Sequence, residues 1–184
     1  MLKITTSILK IRLLLLALFL PMAIMVCSFQ EGKIQDMNVI KSLFIYNFTK
    51  HIEWPDQRIS SSKFRIAIFG NPAISAKLTA ILKDRKIIDK PVEVYDITAI
   101  EESFSANLLF IANGQGDKLN TMLDKCNGKS ILIITEEKKL NSHGGSINIY
   151  EKDSHIRFEL NEVNIKKEGF KVSNQLYELA SANR

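Results

Sequence analysis

Three apolar runs constrain the architecture of this chain more than any other feature: Phe64–Phe69, residues 108–112 and residues 131–135. Gly70-Asn71-Pro72 stops the first, and Asn113-Gly114-Gln115-Gly116 stops the second. Runs this short, apolar on successive residues and closed by turn formers, read as strands buried on both faces. Helical segments are expected over residues 75–82 and 117–126, with an alternating strand over 92–97. Strand and helix therefore alternate, as they do when parallel strands are joined by helical crossovers.

Ahead of this region, Asp36 or Asn38 can cap a helix reaching about Ile52, with Ile40, Leu43, Phe44 and Phe48 at helical spacing on one face. Trp54-Pro55 ends it. Beyond the crossovers the period changes to two. Ile147 and Ile149 alternate with Asn148 and Tyr150, and Ile156, Phe158 and Leu160 alternate with Arg157 and Glu159. With Glu151-Lys152-Asp153-Ser154 as the turn, Ile149 is expected opposite Ile156 and Asn148 opposite Arg157. Asn161 can cap a helix ending at Gly169, and Ser173 can cap a last helix over residues 174–180. The expected fold is α/β, with three layers. A mixed, mostly parallel sheet ends in an antiparallel hairpin and carries helices on both faces.

The N-terminus reads as an export signal. Lys3, Lys10 and Arg12 precede an apolar stretch over residues 13–26, and about 14 residues falls short of the ~20 that a spanning helix needs. Cleavage after Ser28 would leave a single domain over residues 29–184. Alternatively, Cys27 is the lipid-modified first residue of a lipoprotein, the one circumstance that would attach the domain to a membrane. If Cys27 leaves with the signal, Cys126 is the only mature thiol and no intramolecular disulfide can form. Met122 and Leu123 beside Cys126 favour a buried, inert thiol over a redox sensor. The formal charge of +5 falls to +2 once the three leader cations are removed, 22 basic residues facing 20 acidic. That is too weak a field for a nucleic-acid binder.

Phe44-Ile45-Tyr46-Asn47-Phe48, with Lys50 and Trp54-Pro55 behind it, resembles the opening signature of the YfiR family of bacterial periplasmic proteins. Gly144-Gly145-Ser146-Ile147-Asn148, then residues 156–161, Gly169 and residues 173–180, resemble that family's C-terminal pattern in the same order. The resemblance implies a non-enzymatic periplasmic regulator without a cofactor. The family's namesake restrains an inner-membrane diguanylate cyclase and so controls cyclic-di-GMP and biofilm formation. It also implies a homodimer, and a partner that is the periplasmic sensory domain of a membrane signalling protein. The namesake's disulfide-forming cysteines have no counterpart here, so disulfide control does not carry over. The loop from Asn113 to Gly116 also departs from the family, being richer in glycine.

Tyr46, Asn47, Lys50, His51 and Trp54 are candidates for partner contact, since aromatic residues beside a cation are common interface anchors. The competing reading is that Tyr46 and Trp54 close the core. Asn148, Tyr150, Arg157 and Glu159 share the expected outer face of the hairpin, as a binding surface or as a solvated face with a charge pair. Gly70, Asn71, Asn113 and Gly114 follow parallel strands, where α/β folds place ligands or simply turn. A periplasmic small-ligand receptor using these loops is the alternative function. His51, His143 and His155 lack the spacing of a zinc site, and no nucleophile elbow or phosphate loop is present, so neither a metal nor an enzymatic activity is expected.

Overall fold

The computed structural model describes residues 36–55, 61–99, 105–115, 117–136 and 145–182. The leader over residues 1–28, the lipidation candidate Cys27, Gly116, His143 and Gly144 lie outside the described residues. The first helix, α1 (Met37–His51), starts where Asp36 accepts from the Asn38 backbone N–H at 3.0 Å. The Asp36 carboxylate also meets Lys77 at 3.1 Å, and that hydrogen bond is the main reason its pKa lies below the ordinary value.

Five parallel strands form the centre of the sheet: β2 (Phe64–Phe69), β4 (Lys90–Ile97), β5 (Leu108–Ile111), β6 (Leu132–Thr135) and β7 (Ile147–Lys152). Antiparallel strands β3 (Lys86–Ile87) and β8 (His155–Leu160) close its two edges, giving the order β3-β4-β2-β5-β6-β7-β8. The helices are α2 (Pro72–Leu82), α3 (Asp117–Cys126), α4 (Glu162–Lys167) and α5 (Asn174–Ala182). A separate antiparallel pair joins β1 (Ile52–Glu53) to β9 (Lys171–Val172).

Because successive strand residues point to opposite faces, the apolar runs feed two cores. Phe64, Ile66, Ile68, Leu108, Phe110, Leu132 and Ile134 meet Ile45 and Phe48 of α1, Ile74 and Leu78 of α2, Ile165 of α4 and Leu176 of α5. Ala67, Phe69, Leu109, Ile111 and Ile133 meet Leu119, Met122, Leu123 and Cys126 of α3. Helices therefore cover both faces of a mostly parallel sheet, as expected. The Cys126 thiol is buried in the second core.

The hairpin register differs from expectation by two residues. Asp153 and Ser154 alone form the turn, both with positive φ (52° and 59°). This is the backbone of a type I′ turn, whose twist matches that of the flanking strands. Lys152 then pairs with His155, so Ile149 faces Phe158 rather than Ile156, and Asn148 faces Glu159 rather than Arg157. An even shift keeps the apolar residues on one face, which is why the alternation alone does not distinguish the two registers.

The β3–β4 connection has the same geometry, with Ile88 at φ 50° and Asp89 at φ 58°. A β-branched residue in the left-handed region is strained by about 1–2 kcal/mol. Ile88→Gly is therefore expected to stabilise the domain by about 1 kcal/mol, read as a higher urea midpoint. A lower midpoint would mean that the half-exposed Ile88 side chain contributes more through packing than it costs in strain.

Candidate functional site

Helix α1 is apolar on most of its circumference, so spacing alone assigns it no unique inner face. Ile45 and Phe48 are buried, as is Ile52 just after the helix, whereas Leu43, expected inside, is 43% exposed. The outward stripe is Leu43, Tyr46, Asn47 and Lys50, at offsets of three and four residues that place them on one side of a helix. On the buried side of the helix, the Ser42 and Thr49 hydroxyls are satisfied by the helix itself, Ser42 Oγ donating to the Asn38 carbonyl and Thr49 Oγ1 to the Tyr46 carbonyl, each at 2.7 Å.

Tyr46 is the centre of this stripe, half-buried, with part of its ring packed against the first core. Lys50 Nζ lies 4.2 Å from its ring centroid, and the Arg85 guanidinium, from the segment after α2, lies 5.0 Å from it. Both are cation–π distances. The hydrogen bond from Arg85 is the largest cause of a Tyr46 pKa below the ordinary tyrosine value, with smaller help from the Lys50 charge. Lys50 also donates to Asn47 Oδ1 at 3.2 Å. Three of the five candidates for partner contact are thus one connected surface, and Arg85 joins it from a distant part of the sequence.

His51 lies at the C-terminal edge of this surface. Its Nδ1 is 3.2 Å from Ser173 Oγ, and its carbonyl accepts from the Ser173 N–H at 2.9 Å. Ser173 Oγ also accepts from the Leu176 N–H and so caps α5 as expected. Beside this pair a groove of about 430 Å³ runs between residues 50–53 and 171–173. Lys171 and Glu53 pair across it at 2.9 Å.

Trp54 belongs elsewhere: of the two readings, contact surface or closing the core, it takes the second. It is 3% exposed, packs edge-on against Phe64 and Phe170 with centroids at 5.1 and 5.8 Å, and donates from Nε1 to the Asn107 carbonyl at 3.3 Å. The helix stop folds the indole back into the core, where its one polar atom finds an acceptor.

The hairpin candidates also separate. Asn148 is buried rather than on an outer face, accepting at Oδ1 from Thr135 Oγ1 at 3.1 Å. Thr135 of the neighbouring parallel strand gives the amide a partner inside. Tyr150, Arg157 and Glu159 are half-buried, with Tyr150 opposite Arg157 and Glu159 opposite Asn148.

The loop candidates do converge. The connection out of β2 goes to β4 on one side, whereas β5 lies on the other, so the carboxyl ends of β2 and β5 flank a topological switch point. Gly70, at φ 84°, lies directly under the Gln115 carboxamide, which an added Cβ would strike. Asn71 caps α2 by accepting from the Ile74 N–H at 3.2 Å, and its amide approaches Asn38 Oδ1 at 3.4 Å. Lys41 of α1 forms an ion pair with Glu136 here, and Glu136 also accepts from the Asn113 N–H at 3.5 Å. Gly114 is exposed at φ 84°. Lys41 and Glu136 escaped the sequence reading because they are 95 residues apart and belong to no local motif.

Among the described residues, no group of three or more His, Cys, Asp or Glu side chains could hold a metal ion, and no helix is long and apolar enough to cross a membrane. The arrangement on α1 suits binding, offering an aromatic ring, two cations and an amide to an anionic group. No curated protein matches the chain. The family model described as YfiR/HmsC-like matches residues 38–181, from the start of α1 into α5, and the chain belongs to that family.

Proposed function

We propose that this protein is an exported regulator that binds and restrains a membrane-bound signalling enzyme, a diguanylate cyclase or a sensor kinase, through the outward face of α1. The YfiR/HmsC-like family is one of periplasmic, non-catalytic regulators linked to cyclic-di-GMP signalling. The observation that carries the reading to particular residues is the half-buried Tyr46 ring with Lys50 and Arg85 both beside it on the outward stripe of α1. A rigid aromatic with adjacent cations is the composition of an interface hot spot. Deleting the gene is expected to raise cellular cyclic-di-GMP and biofilm formation, and restoring the full chain is expected to reverse both. Unchanged cyclic-di-GMP after deletion would exclude a cyclase as the restrained enzyme.

The convergence of Gly70, Asn71, Asn113 and Gly114 supports a second reading, a small-ligand receptor. A ligand in that crevice would have to move Gln115 away from Gly70, and its binding would raise the melting temperature of the purified domain.

A further inference from the structure

We propose that the partner presents an acidic peptide segment to the α1 face, with a carboxylate lodging between Lys50 and Arg85 beside Tyr46. This rests on the reading of α1 as the partner surface and adds the chemistry of what it binds.

Two cations converge on one ring from different parts of the chain, at 4.2 and 5.0 Å from its centroid. Like charges brought together repel, and the ring quadrupole offsets this only in part. Where two cations converge elsewhere in the domain a carboxylate stands between them, as Glu93 does between Lys63 and Arg65. Among the described residues, no carboxylate forms an ion pair with Lys50 or Arg85. A carboxylate arriving from outside supplies the missing charge. The guanidinium fork can hold it through two parallel N–H donors while the ammonium adds a third. Leu43, one turn before Tyr46 and 43% exposed, gives an apolar neighbour of that acid a place to dock. The combination of a planar fork, an aromatic edge and an apolar contact within one helical stripe fits a peptide side chain and its neighbours. A lipid headgroup would be served by charge alone.

The test uses the full chain expressed in its own cells, with cyclic-di-GMP as the readout and the melting temperature as the control for folding. An acidic partner predicts a graded series. Lys50→Arg retains restraint, Lys50→Gln with Arg85→Gln weakens it by about tenfold in affinity, and Lys50→Glu with Arg85→Glu abolishes it by repulsion, all with melts close to wild type. Equal effects of the Gln and Glu pairs would overturn the proposal, because a neutral partner is indifferent to the added negative charge. If Tyr46→Ala releases the enzyme while neither charge pair does, the acidic segment is wrong and α1 remains the contact surface. If Tyr46→Ala and both charge pairs leave restraint intact, the contact surface itself is misplaced. Binding of the purified protein to phosphatidylglycerol vesicles that is lost in the Gln pair would also overturn the proposal, in favour of a lipid.

Discussion

Trp54→Ala will cost the domain about 3–5 kcal/mol, the usual range for removing a buried indole. For a domain of this size that is a fall of roughly 10 °C or more in melting temperature. The loss has three parts. The indole is 3% exposed and fills the space between Phe64 at the start of β2 and Phe170 just before β9. Its edge-to-face contacts with both rings add to the area it buries. Its Nε1 donates to the Asn107 carbonyl, which also accepts from the Leu132 N–H, so the cavity would open beside the hydrogen bonds that start β5 and β6. Trp54→Phe keeps most of the packing and loses the hydrogen bond, so a fall of about 1–3 kcal/mol is expected there. A melt unchanged by Trp54→Ala would return Trp54 to the surface and overturn this account of the helix stop.

Phe48→Ala is expected to be comparably severe, at about 3–5 kcal/mol, measured as a reduced urea midpoint. Phe48 is 1% exposed and meets Phe158 of the hairpin edge-on at 5.0 Å, while Phe44 touches both rings at 6.0 and 6.1 Å. This aromatic trio fastens α1 to β8. Without it α1 loses its hold on one end of the sheet. Phe48→Ala should therefore also abolish regulation, but only together with the loss of stability. Two residues earlier, Tyr46 is only half-buried at the edge of the same core, and its removal is expected to cost far less in the melt than that of Phe48 while still releasing the partner. A normal urea midpoint for Phe48→Ala would contradict the assignment of the buried face of α1.

The parts of the fold that can be read from the sequence are those specified by neighbouring residues. Apolar strands buried on both faces need no partner to be recognised, and Asp36, Asn161 and Ser173 announce helix starts because a cap acts on N–H groups two or three residues ahead. The strands β1 and β9 escape, since two residues carry no period and their pairing of Ile52 with Val172 depends on the rest of the fold. The same holds at the site. Tyr46, Asn47 and Lys50 are recognisable as one helical stripe, but Arg85 reaches them only because α2 packs on α1. Trp54 has both an apolar body and a polar tip, so its direction was decided by Phe64, Phe170 and the Asn107 carbonyl. Asn148 alternates with apolar residues as an outward-facing side chain would, yet Thr135 on the adjacent strand holds it inside.

Regulation by contact through the outward face of α1, as proposed, makes Tyr46 the residue whose loss matters most to signalling. The most direct test is cellular cyclic-di-GMP in a strain carrying Tyr46→Ala in place of the native gene, with the melting temperature of the purified variant measured alongside. Removing a true anchor costs ~2 kcal/mol or more of binding, about thirtyfold in affinity. Cyclic-di-GMP should therefore approach the level of the deletion strain while the melt stays within a few degrees of wild type. A deletion strain with raised cyclic-di-GMP beside a Tyr46→Ala strain that remains fully restrained would contradict the claim.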